Sequence, residues 1–173
     1  MDEAQFNRIY EAYSRKLYNY VLWVTRSRPM CEDILQSAFV KVWKYPMVPQ
    51  VERELEAWLF TVVRNTCMDH FRSNSRHARL RTEFSAESAH SHIDDSAENR
   101  MTWEMIAGLS EDDRTVIYLH LKMGYNYREV GRIMEMEENA VRVRAFRARQ
   151  SLRKALAPYC AENIAESVTI LPR

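Results

Sequence analysis

The chain is predicted to be all-α: two small helical domains joined by a flexible linker, the second containing a helix-turn-helix. Three observations predict this. Only 3 glycines and 5 prolines punctuate 173 residues, too few for the turns that strands need. Apolar residues recur three and four apart through successive segments, which is the spacing of one helix face. Residues 73–100 break that rhythm, with six serines, three histidines and no apolar period. The expected organisation is a helical domain over 1–72, a linker over 73–100, a helix-turn-helix domain over 101–157 and a tail over 158–173. The two domains are expected to move independently.

In the first domain, Phe6, Tyr10, Tyr13, Leu17, Tyr20 and Val24 define an amphipathic helix of about 22 residues. Pro29 marks its end or the start of the next helix. Ile34, Leu35, Ala38, Phe39 and Trp43 define a second helix, stopped by Pro46 and Pro49. Leu55, Trp58, Leu59, Val62, Val63, Cys67 and Phe71 define a third, longer one.

The second domain begins near Ala97. Met101, Met105 and Leu109 suggest a short helix. Ser110 caps the next, with Asp113 three residues on, and Val116, Ile117, Leu119 and Leu121 fill it before Gly124 breaks it. Asn126 and Glu129 form a capping box for a short helix whose inward residues are Val130 and Ile133. A long helix follows. Its apolar stripe is Val141, Ala145, Ala148, Leu152 and Leu156. Arg142, Arg149 and Arg153 line one flank with Phe146; Arg144, Arg147 and Lys154 line the other. No acid falls among the thirteen residues from Arg142 to Lys154. That is the pattern of a helix-turn-helix whose second helix faces a phosphate backbone. The tail beyond Pro158 either frays or packs as a short extra helix.

The formal net charge is only +1, so whole-chain charge says nothing about nucleic acid; the local basic cluster does. Cys31, Cys67 and Cys160 are far apart and lack metal-ligand spacing; Cys31 and Cys67, in helical apolar context, read as buried small hydrophobes. His77, His90 and His92 read as solvated histidines; neither a metal nor a cofactor is expected. The N-terminus begins acidic without an apolar run, and no stretch is long enough to span a membrane. A cytoplasmic protein without membrane insertion is expected. No nucleophile–base pair or glycine-rich phosphate loop sits on a recognisable element, so an enzyme is not expected.

Three segments in this order resemble one family. They are CEDILQSAFVKVWKY from Cys31, AWLFTVVRNTCMDHFR from Ala57, and the stretch from Leu109 to Leu156. The chain resembles a bacterial sigma-70 family RNA polymerase sigma factor of the extracytoplasmic-function group over roughly residues 5–156. The resemblance implies that the first domain binds core RNA polymerase and reads and melts the minus-10 element of promoter DNA, while the second reads the minus-35 element. It implies a polymerase-binding surface of Asp33, Gln36, Phe39 and Trp43. On the residues alone, Phe39 and Trp43 fit either an aromatic anchor or a domain core. The third helix carries Arg64, Asn65, Asp69 and Arg72 toward minus-10 DNA: the arginines neutralise phosphate and Asn65 has the donor–acceptor pair that reads a base edge. Minus-35 contacts fall to Arg142, Arg144, Arg147, Arg149 and Arg153, with Arg142 and Arg144 nearest the helix start and so nearest the bases. An anti-sigma factor partner is implied by resemblance alone. Asp94, Asp95 and Glu98 in the linker resemble an acidic strand-mimicking segment.

One departure stands out. The family's turn glycine and its small hydroxylated helix opener are replaced by Glu135 and Glu137, with Glu138 following. Carboxylates there suit a helix N-terminus but repel phosphate. This leaves open a sigma-like mimic that binds an anti-sigma factor. A helix-turn-helix regulator independent of polymerase is the other alternative, disfavoured by the aromatic and acidic second helix.

Overall fold

The computed structural model describes residues 1–80 and 106–169, with side chains described over 1–74 and 106–157. Helix α1 runs Glu3–Thr25 and starts at Asp2, whose carboxylate accepts from the Gln5 amide at 2.7 Å. It ends where Arg26 turns into the left-handed region at φ 58°. Ser27 caps α2, Arg28–Lys44, with Pro29 in its first turn, where its missing N–H costs nothing. Helix α3 spans Glu52–Leu80. It therefore runs eight residues past the expected domain end at 72, because residues 73–80 hold neither the glycine nor the proline that would stop it.

Helix α4, Glu111–Ile117, starts at Ser110, which accepts from the Asp113 amide at 3.2 Å as expected. It widens into a π-helical turn over Tyr118–Lys122 before Gly124 ends it at φ 72°, a conformation glycine adopts without strain. That widening rotates Leu121 outward. It is 54% exposed, although it reads in sequence among the apolar residues that fill this helix. Helix α5 spans Tyr127–Met134 and α6 spans Glu138–Thr169, so the expected separate tail continues α6 as far as Thr169.

Helices α1, α2 and α3 pack on one another; α5 and α4 pack on α6. The two halves, expected to move independently, are packed together in this structure. α4 lies against α1 and α5 against α3, and one aromatic core runs through both. Tyr20 meets Phe60 at 5.3 Å and Tyr118 at 5.4 Å, and Phe60 meets Tyr125 at 6.1 Å, all edge to face. Each such ring contributes roughly 2 kcal/mol through burial. Helix α1 packs on three neighbours, α2 and α3 of its own half and α4 of the other.

Polar contacts cross the same boundary. Arg114 donates to the Val24 carbonyl at 2.6 Å, satisfying a backbone acceptor that the end of α1 leaves open. Trp23 donates to the Arg114 carbonyl at 2.9 Å, and the hydroxyls of Tyr20 and Thr115 lie 3.2 Å apart. Burial pulls the Arg114 guanidinium below its ordinary pKa, so its carbonyl partners and Glu111 at 4.0 Å matter. Cys31 and Cys67 are buried, and burial pushes both thiols up to about 12, which makes them inert packing groups. Among the described residues no helix is long and apolar enough to cross a membrane.

Candidate functional site

Three surfaces carry the residues singled out in the sequence. The first is a groove of about 700 Å³ between α1 and α2. Phe6 and Tyr10 line one wall; Leu35, Gln36, Phe39 and Trp43 line the other. Its floor is an aromatic cluster: Phe6 meets Trp43 at 5.1 Å and Phe39 at 6.1 Å, and Tyr10 meets Phe39 at 4.9 Å. Phe39 is buried, whereas Trp43 is 45% exposed and Tyr10 49%. The two readings of these aromatics thus divide, with Phe39 in the core and Trp43 at the open wall. Gln36 lines the groove. Asp33 is exposed on α2 but does not line it, and Glu32 does. Phe6 and Tyr10 were assigned to the buried stripe of α1 by spacing. The structure buries Tyr13, Leu17, Tyr20 and Val24 of that set and adds Ile9 and Val21, leaving Phe6 half-buried and Tyr10 outside. The signal was Ile9, which extends the Tyr13–Leu17 spacing one turn back.

The second surface is a recess of about 560 Å³ where α2 meets α3, lined by Lys41, Lys44, Tyr45, Trp58 and Asn65, with Glu135 across from them. Tyr45 and Trp58 stand edge to face at 4.9 Å. Aromatic faces beside lysines are what a splayed base and its phosphate require. The four α3 residues predicted to meet DNA share this end of the molecule, but two are held by the second half. Arg64 pairs with Asp112 at 3.2 Å, and Asn65 donates to Glu135 at 3.5 Å. The Arg64 Nε is buried with no partner among the described residues. Asp69 pairs with Lys41 at 3.2 Å and with Arg72 at 3.8 Å. Lys41, Lys44 and Tyr45 are not among the DNA residues expected from sequence, and Trp58 reads there only as an apolar residue of the third helix, since their meeting depends on the bend between α2 and α3.

The third surface is the helix-turn-helix, α5 and α6. The Asn126–Glu129 capping box is formed in both directions, at 2.9 Å and 2.8 Å. Gly131 lets the turn close: a Cβ there would lie 2.6 Å from the Met136 carbonyl oxygen. Glu135 occupies the left-handed position at φ 55° where the family glycine is expected. Glu137 is exposed, and Glu138 pairs with Arg142 at 2.8 Å, so one of the two carboxylates at the helix start is already neutralised. Val141, Ala145 and Ala148 are buried as predicted.

The arginines of α6 divide by face. Arg144 turns back toward α4 and pairs with Asp113 at 3.0 Å and Asp112 at 3.7 Å. Expected among the residues nearest the bases, it is engaged by α4 in this structure. Arg142 lies over the Tyr127 ring at 5.4 Å, and Arg149 donates to the Tyr127 hydroxyl at 3.1 Å. Arg147 and Arg153 are exposed. His77, His90, His92, Cys160 and the linker acids Asp94, Asp95 and Glu98 lie outside the residues whose side chains are described.

Between the recess and the helix-turn-helix lies a clasp. The Tyr125 hydroxyl donates to Glu56 at 2.7 Å, Lys16 pairs with the same carboxylate, and Arg53 stacks 3.8 Å from the Tyr125 ring centre while pairing with Glu129 at 3.3 Å. Burial alone would raise the Glu56 pKa. The hydrogen bonds from Lys16 and Tyr125, with the Lys16 and Arg53 charges, hold it below the ordinary carboxylate range. The Tyr125 phenol is pushed up by burial and by its bond to Glu56, so it remains a donor.

Comparison with known proteins accounts for this layout. The Sigma-70 region 2 model matches residues 9–77 and the Sigma-70, region 4 model matches residues 99–152. The chain belongs to the sigma-70 family, within the extracytoplasmic-function group of RNA polymerase sigma factors. It is similar to ECF RNA polymerase sigma factor SigM of Bacillus subtilis, at 24% identity over 85% of this chain and 92% of that one. It is similar to SigL of Mycobacterium tuberculosis at 26% identity, over 90% of each. Among solved structures, the sigma factor RpoE of Bartonella quintana, in complex with the anti-sigma factor NepR, shares the fold at a TM-score of 0.71 and 22% identity, over 88% of this chain and 97% of that one. CnrH in complex with the cytosolic domain of CnrY gives 0.63 at 22% identity, over 91% and 90%.

Proposed function

We propose that this chain is a dissociable, non-catalytic initiation subunit acting in the cytoplasm. It binds core RNA polymerase through its first half and a two-part promoter through both halves. The observation that carries this reading is the α1–α2 groove. Trp43 and Tyr10 are left nearly half exposed there, on a molecule that buries Tyr13, Tyr20, Phe60, Tyr118 and Tyr125. A half-exposed aromatic wall with Gln36, Glu32 and Arg15 beside it fits a partner helix of mixed charge. Asp33 sits one step round α2, at the rim of that contact.

The recess of Lys41, Lys44, Tyr45, Trp58 and Asn65 is the place for an unpaired minus-10 base, with Arg64 and Arg72 supplying charge to its phosphates. Arg142, Arg147, Arg149 and Arg153 supply phosphate contacts at the minus-35 element. In this packed arrangement Asp112 and Glu135 hold Arg64 and Asn65, so promoter engagement requires the halves to part. A partner that favours the packed state acts as an inhibitor. RpoE of Bartonella quintana, which shares this fold, has been solved with the anti-sigma factor NepR, which supports an anti-sigma factor as that partner.

The test is reconstitution with core polymerase. Asp33→Arg and Trp43→Ala should each weaken core binding by at least ten-fold, about 1.4 kcal/mol, with circular dichroism unchanged. Wild-type affinity in both variants refutes the assignment of the groove.

A further inference from the structure

The outward face of α6 is not a row of arginines. Taking the buried stripe of Val141, Ala145 and Ala148 as the inner face, a rotation of about 100° per residue places Asn139, Val143, Phe146 and Gln150 opposite it. Their spacing is four, three and four, so they form a single line. All four are exposed: Val143 at 49% and Phe146 at 56%. Cationic rails run along both sides, Arg142, Arg149 and Arg153 on one and Arg147 with Lys154 on the other. Tyr127 of α5 holds Arg142 and Arg149 in place by its ring and hydroxyl. From Asn139 to Ala157 the helix has no carboxylate.

Two exposed apolar side chains between two positive rails need an occupant that is anionic at its edges and apolar at its centre. Duplex DNA is that occupant. Its phosphates flank a major groove whose floor presents a methyl group wherever thymine stands. A protein helix with acidic edges is the competing occupant. The fit favours DNA because the line begins with an amide at the helix start, the part of such a helix that reaches base edges. An asparagine amide matches the donor and acceptor of adenine, and no other base offers that pair in the major groove. Guanine is best matched by an arginine on this face, and the structure turns the arginine expected there, Arg144, back into ion pairs with Asp112 and Asp113.

We propose that Asn139, Val143 and Phe146 are the base-reading residues of α6 and that they select adjacent adenine and thymine: Asn139 takes the adenine edge, and Val143 with Phe146 covers thymine methyls. This rests on the reading of α6 as a duplex-binding helix. It adds which residues discriminate and which bases they choose.

The experiment uses the full chain and a duplex pool randomised over about one helical turn. Selected duplexes should be enriched in A·T pairs. In a selected duplex, replacing thymine by deoxyuridine removes only the methyl and should weaken wild-type binding about four-fold per covered methyl, by the worth of one buried carbon. Val143→Ala and Phe146→Ala should each abolish that sensitivity at one position. Both side chains are exposed, so the variants should fold as wild type by circular dichroism. Asn139→Ala should relax selection at an adenine. Arg149→Ala should weaken every duplex alike and leave the thymine-to-uracil ratio intact. Salt-dependent binding with no A·T enrichment, or with no response to uracil, overturns the assignment of the line while leaving α6 a duplex-binding helix. No duplex binding at low salt overturns both, and leaves the line as a protein contact.

Discussion

Tyr125→Phe removes one oxygen from the clasp between the halves and leaves the ring against Phe60 and under Arg53. The lost bond is 2.7 Å long, buried, and made to a carboxylate. Bonds to charged groups contribute roughly 1.5–3 kcal/mol. Glu56 keeps Lys16, and Arg53 stands at 3.8 Å, so the remaining carboxylate is not stranded. A loss of about 2 kcal/mol is therefore expected, not the larger cost of an unpaired buried charge. For a chain of 173 residues this corresponds to a fall in Tm of about 4–8 °C. The assay is a double-mutant cycle with Glu56→Ala, read by urea unfolding of the four proteins. Because the bond joins residues from the two halves, the coupling energy reports their packing directly. A coupling of at least 1.5 kcal/mol is expected. Additivity within about 0.5 kcal/mol would mean that the side chains do not meet and that this clasp does not hold the halves together.

Three further outcomes follow from the same contacts. Gly131→Ala should destabilise the fold by about 1–3 kcal/mol in urea unfolding, since the new Cβ meets the Met136 carbonyl oxygen at 2.6 Å; unchanged stability would show that the turn yields. Glu56 and Glu129 both have pKa values below the ordinary carboxylate range in the folded state, so their contribution is present above about pH 4.3 and is lost as pH falls through the folded values. The urea midpoint should decline below that pH, less steeply in Glu56→Ala, and an equal decline in both proteins would remove Glu56 from the account. Asp112→Asn neutralises the residue that pairs with Arg64 at 3.2 Å and Arg144 at 3.7 Å. It should tighten binding of the full chain to single-stranded DNA about five-fold at low salt, the equivalent of roughly 1 kcal/mol for one partly exposed pair; unchanged affinity would mean that the pair does not restrain Arg64.

What the sequence disclosed depended on whether a feature was local. The Asn126–Glu129 box, the Ser110 cap and the Val141–Ala145–Ala148 stripe are written within a few residues each, and each forms as read. Tyr10 and Leu121 were misread because spacing identifies a periodic set but not which of two overlapping sets turns inward. Ile9 displaced Tyr10, and a π-helical turn displaced Leu121. The fates of Arg64, Asn65 and Arg144 were not legible at all. Their partners Asp112, Asp113 and Glu135 lie 31 to 70 residues away and meet them only through tertiary packing.

That non-local pairing changes what the glutamates at the turn mean. Read along the chain, Glu135, Glu137 and Glu138 form one acidic start to α6 that would repel a phosphate. In space they do three different things. Glu138 pairs with Arg142 at 2.8 Å, Glu135 accepts from Asn65 of the other half at 3.5 Å, and Glu137 is exposed. A glycine in place of Glu135 would relieve its left-handed backbone but would have no side chain to reach Asn65. The carboxylate is thus better explained as a contact that keeps the halves together than as a penalty against DNA. In the packed state the positive face of α6 that begins at Asn139 is exposed, while in the recess Asn65 is already bonded to Glu135 of the other half. On the proposed assignment of these two surfaces, the second half would meet duplex DNA while the halves are packed, and the first half would take up a single strand only after Asp112 and Glu135 let go.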